Sequence, residues 1–178
     1  MSILRLLPLL ALASAALAAE PGLFDYDKTA PLAIREVGVE TRGEATVRDI
    51  TFVGVKDPIK AYLVTPAKPG PHAAILYVHW FGDPATTNRT QFLNEAVALA
   101  GRGVASLCVD TMWARAGWWR GRKPETDFAG GVQQVVELRR AFDLLLAQPG
   151  VDPARTAMVC DNLRRVSPPG TMTRRPSG

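Results

Sequence analysis

The chain has 178 residues, 47% of them hydrophobic, and a formal net charge of +4. Most of that charge sits in the last eighteen residues, where Arg164, Arg165, Arg174 and Arg175 oppose only Asp161, so the remainder carries about +1. A body so nearly neutral, without a basic stripe interleaved with aromatics, excludes nucleic acid as the expected partner.

Residues 1–19, MSILRLLPLLALASAALAA, combine Arg5, a leucine-rich run and small residues at Ala16, Ala18 and Ala19. This is the pattern of a cleaved secretory signal, and its apolar run is short for the ~20 residues of a spanning helix. The expectation is export to the periplasm or medium, with no membrane association after cleavage. Residues 20–45 are turn-rich and read as an extended arm. Thr46–Phe52 and Ile59–Thr65 follow as strands around a turn closed by Pro58. After the breaker run AKPGPH, Ala73–His79 is apolar without alternation, as expected of a strand buried on both faces.

Phe92, Leu93, Ala96, Val97 and Ala100 recur at helical spacing within Thr90–Arg102, which Gly101 and Gly103 close. Val104–Asp110 is a second buried strand. The sixteen residues TMWARAGWWRGRKPET then hold three of the four tryptophans, Trp113, Trp118 and Trp119. Asp127–Gln148 reads as a long helix ended by Gly150 and Pro153, and RTAMVC, Arg155–Cys160, as a third buried strand. Strands alternating with helices predict an α/β fold, a three-layer sandwich with a mostly parallel sheet. Residues 46–162 would form this domain. Residues 163–178, with Pro168 and Pro169 adjacent, cannot supply the helix such a sheet needs next and read as a disordered tail.

Ligands of open parallel sheets bind beyond the carboxyl ends of the strands. Here those ends are His79–Arg89, Asp110–Trp119 and Cys160–Asn162. AYLVTPAKPGPHAAILYVHWFG, GRGVASLCVD and PGVDPARTAMV, in that order, resemble the dienelactone-hydrolase-like esterases of the α/β-hydrolase superfamily over roughly residues 47–160. The resemblance implies an incomplete α/β-hydrolase fold and a serine-type hydrolase of carboxylic esters or lactones that works without a cofactor. It assigns the oxyanion loop to His79, Trp80, Phe81 and Gly82, with the Phe81 N–H as the donor to developing negative charge. His79 then either anchors that loop or is simply a buried histidine satisfied by backbone. Asp110 either pins the loop after its strand or meets substrate. Trp113, Trp118 and Trp119 either line a substrate pocket or pack the long loop on the core.

The chain departs from the family where the nucleophile elbow, Gly-x-Ser-x-Gly, is due. VCDNLRR places Asn162 at the nucleophile's position, and an amide cannot attack an acyl carbon. No histidine follows Cys160, and His72 and His79 are the only two in the chain, so a triad in family order is absent. Leu163-Arg164-Arg165 can be encoded CTT CGG CGN, which one base later begins Phe-Gly-Ala or Phe-Gly-Gly, and Phe-Gly-Ala commonly continues the family's elbow. One inserted nucleotide near Asn162 would therefore produce this tail and leave an inactive fragment; the gene locus decides it. The runner-up reading is a non-catalytic exported protein that binds a small molecule through the Trp-rich loop. Metal chemistry at His79, Asp83 and Asp110 lacks a ligand spacing. The family's strand order sets Cys108 and Cys160 about 10 Å apart, too far for a disulfide, and predicts two buried thiols.

Overall fold

In the computed structural model, which describes residues 22–160, six strands form one sheet in the order β1-β2-β3-β5-β4-β6. The signal-like leader, Asp161, Asn162 and the arginine- and proline-rich tail lie outside the described residues. β1 (Arg35–Arg42) is an exposed edge strand inside the stretch that reads as an arm. β2 (Ala45–Val53) and β3 (Pro58–Pro66) pair antiparallel across a four-residue connection that permits no other direction. β4 (His72–Val78), α1 (Leu93–Ala100), β5 (Val104–Val109), a short α2 (Trp118–Gly121), α3 (Asp127–Leu146) and β6 (Val151–Cys160) follow.

This arrangement corrects the expected mostly parallel sheet. Three of the five pairings, β1–β2, β2–β3 and β3–β5, are antiparallel; only β4–β5 and β4–β6 are parallel. The physical reason is that β1, β2 and β3 follow one another through connections of two and four residues, too short for the crossover that parallel neighbours need, whereas the apolar runs of β4, β5 and β6 do pair in parallel. β3 buries Ala61, Leu63 and Val64 while running against β5.

Alternation along the strands divides the core into two clusters, one on each face. Val47, Val64, Tyr77 and Cys108 face α1, which contributes Leu93, Ala96 and Ala100. Ile50, Phe52, Leu63, Leu76 and Leu107 face α3, which contributes Ala141, Leu144 and Leu145. At roughly 1.5–3 kcal/mol for each large apolar side chain removed from water, these two clusters supply the main driving force for the fold. Gly150 joins the starts of β4 and β6: its φ is +78°, and a Cβ there would lie 2.7 Å from the Gly70 carbonyl oxygen.

β6 departs from expectation in burial. It is a ten-residue edge strand, mostly exposed, with Met158 58% and Val159 37% accessible. Cys108 is buried as expected, whereas Cys160 is exposed. β4 lies between their strands, with Tyr77 opposite Cys108 and Val78 opposite Cys160. That separation, about 10 Å, is beyond disulfide reach. Among the described residues no helix is long and apolar enough to cross a membrane.

Candidate active site

β4 and β5 run parallel and end together, so the segments leaving them meet at one edge of the sheet. His79, the residue after β4, is 1% exposed. The Thr111 backbone N–H donates to its Nε2 over 3.1 Å, which makes Nε2 the unprotonated nitrogen. The proton therefore sits on Nδ1, which donates to the Trp80 carbonyl over 2.9 Å. The Thr111 hydroxyl lies 3.0 Å from the same Nε2. Burial pushes the His79 pKa below its ordinary value, partly opposed by the Trp80 carbonyl and by the charge of Asp110. The ring is a neutral brace between the two strand ends.

The Trp80 carbonyl takes a second donor. Trp113, in the turn after β5, gives its Nε1–H to the same oxygen over 3.0 Å. The 80–81 peptide is trans, so its C=O and N–H point in opposite directions within one plane. Two donors from different segments fix the oxygen and thereby aim the Phe81 N–H the other way. That N–H has no acceptor among the described residues. The preceding amide differs: the Trp80 N–H donates to Gln91 Oε1.

Gly82 continues the loop close against Thr87: a Cβ there would fall 2.5 Å from Thr87 Oγ1 and force that side chain to move. An open cleft of about 820 Å³ lies beside it, lined among others by Phe81, Gly82, Asp83, Trp113, Trp118 and Trp119. Phe81 is the hub of an aromatic cluster, its ring centroid 6.4 Å from Trp113, 6.0 Å from Trp118 and 5.3 Å from Trp119. Arg122 stacks over Trp119 and is held by Asp127. The cleft wall is thus largely aromatic, and the Phe81 N–H stands on it without an acceptor among the described residues.

Asp110 is not part of that lining. Its carboxylate accepts the Arg89 N–H over 2.7 Å, and the Arg89 guanidinium clamps Asp49 of β2 through both terminal nitrogens while stacking over Tyr62. Asp110 therefore ties the loop after β4 to the end of β5. Thr111, Gln91, Arg89 and Asp49 are the site residues that sequence reasoning missed. Asp49 and Arg89 stand forty positions apart, and nothing local to either announces the pair. Thr111 could have been found from its place beside Asp110 at a strand end. His79, Asp83 and Asp110 do not converge: Thr111 occupies the open nitrogen of His79 and Arg89 occupies Asp110, and among the described residues no group of three metal-ligating side chains forms. His72, the other histidine, begins β4 and lies about 23 Å from this edge.

No family model matches the chain, and no curated protein does. Solved structures do. Acetyl xylan esterase 1 from Thermoanaerobacterium sp. JW/SL YS485 is 17% identical with a TM-score of 0.56, over 73% of this chain and 44% of that one. A cold-adapted esterase from an Arctic intertidal metagenomic library is 18% identical in its PEG-bound complex with a TM-score of 0.51, over 68% of this chain and 53% of that one. The likeness is one of fold. The described residues, with the mixed sheet set out above, share the fold of these two solved structures over about two thirds to three quarters of the chain. The chain spans about half the length of these structures.

Proposed function

We propose that residues 22–160 build the oxyanion-binding half of a site for carboxylic ester or lactone hydrolysis. The observation that carries this reading is the Phe81 N–H: unsatisfied, fixed in direction by the doubly bonded Trp80 carbonyl, and set on a cleft-lining residue. A donor that needs no reorientation as charge develops lowers the barrier by several kcal/mol in acyl transfer. The aromatic wall formed by Phe81, Trp113, Trp118 and Trp119 suits the apolar part of a small ester.

Turnover also needs a nucleophile and a base. His79 is committed to Thr111 and Trp80, and His72 stands at the far end of β4, so neither can activate a nucleophile at this edge. On the family resemblance Asn162 stands at the nucleophile's position, outside the described residues. The 178-residue chain is accordingly proposed to be catalytically silent. With p-nitrophenyl butyrate the expected rate equals the buffer blank. Robust hydrolysis that survives Asn162→Ala would defeat the proposal.

The cleft also supports a second reading, a non-catalytic small-molecule binder. Three indoles around one cavity make that reading measurable, since an aromatic or acyl ligand would shift tryptophan emission. Saturable quenching by the butyrate ester without turnover fits both readings. A ligand that binds equally well whether or not it carries a carbonyl favours the binder.

A further inference from the structure

On the α3 face, away from the aromatic cleft, a groove of about 700 Å³ runs between α3, the loop after β2 and the segment before β1. Leu23, Pro31, Val55, Val132 and Val136 give it apolar walls. Arg140 lines it and is 7% exposed. Its Nε donates to the Val53 carbonyl and its Nη2 to the Pro31 carbonyl, but Nη1 has no acceptor among the described residues. Among the described residues no carboxylate forms an ion pair with it: Glu137 accepts from the Val55 N–H and Gln133, and Asp143 accepts from the Tyr26 hydroxyl. The unbonded Nη1 is not an enclosed atom, so an anion in the groove would find a charge-assisted donor there. Lys56 also lines the groove, while the one acid there, Asp25, is turned onto the Gly22 N–H.

We propose that this groove binds a small organic monoanion, a carboxylate carrying an apolar tail, with Arg140 as its anchor. One open guanidinium edge matches one carboxylate. Two of the three guanidinium nitrogens are already engaged, so a multiply charged phosphate would find too few donors. The apolar walls suit an alkyl tail, and the groove has room for a chain of about eight carbons or more.

The probe is octanoate, titrated calorimetrically into the full chain beside octan-1-ol. Octanoate is expected to bind once per chain, about tenfold or more tighter than the alcohol. Ala129, exposed on α3 and lining the groove, gives the blocking variant: Ala129→Trp should weaken octanoate about tenfold with an unchanged thermal melt. Lys56→Glu should weaken it in the same direction, and Arg140→Gln should abolish it. Because Arg140 also holds two carbonyls, Ala129→Trp carries the test if Arg140→Gln does not fold. In the unsubstituted chain all four tryptophans lie at the other site, so tryptophan emission should not change on binding. Absence of saturable binding, equal binding of octan-1-ol, undiminished binding by Ala129→Trp, or a shifted emission each overturns the proposal.

Discussion

A neutral imidazole at position 79 follows from two bonds, one accepted and one donated, and its depressed pKa has a consequence for stability. Unfolded, the ring titrates at its ordinary value of 6.5; folded, it resists protonation because it is buried. The unfolded chain therefore binds more protons through this window, and stability rises with pH across it. The contribution is complete above about 6.5 and is lost as the pH falls toward and below the folded value. Urea denaturation between pH 7.5 and 5 should show this slope, and His79→Gln should flatten it while costing about 1–3 kcal/mol at neutral pH. An unchanged slope in the variant would remove His79 from the account. The place of position 79 at a strand end was legible in the sequence, because a polar residue ended an unbroken apolar strand. Its proton position was not, because that depends on Thr111, on another strand's end.

At the scale of elements, three hydrogen-bonded residue pairs join the segment after β4 to the segment after β5, in addition to their ring contacts: Thr111 with His79, Trp113 with Trp80, and Asp110 with the Arg89 amide. Trp113→Phe isolates the middle one. It keeps an aromatic ring beside His79 and Phe81 while deleting the indole N–H together with part of the ring system. The expected loss is about 1 kcal/mol of stability. The more telling readout is the Phe81 amide, whose NMR order parameter should fall because its peptide keeps a single anchor. A rigid Phe81 in Trp113→Phe would mean His79 holds the plane alone. The helices α1 and α3 were legible from their apolar spacing. The clamp from Arg89 to Asp49 was not, since an ion pair across forty residues leaves no local periodicity.

For the whole molecule, the strands were easier to find than their directions. The Pro58 turn marked β2 and β3 as neighbours, yet the two-sided burial of β3 reads the same whether it runs with β5 or against it. β1 escaped recognition because all but the last of its residues are exposed and no apolar face marks it. β6 was read as buried from its composition, but it forms an edge, and burial there depends on what covers it. Met158 and Val159 are exposed on the strand that ends the sheet among the described residues, and such a strand invites association between copies. Met158→Lys should raise the concentration at which the chain stays monomeric by sedimentation velocity and leave the melting temperature within a degree or two. Unaltered self-association in that variant would place the sticky surface elsewhere.

The shared carbonyl of Trp80 also limits how this scaffold can be re-engineered. Loops at the rim of a sheet are usually the interchangeable parts of a fold, free to be swapped for new specificity. Here the segment from Thr111 to Gly121 both shapes the cleft wall and supplies a strut to the neighbouring loop. A graft that alters the wall without restoring an N–H at the place of the Trp113 indole would change the cleft's shape and loosen the Phe81 donor at once.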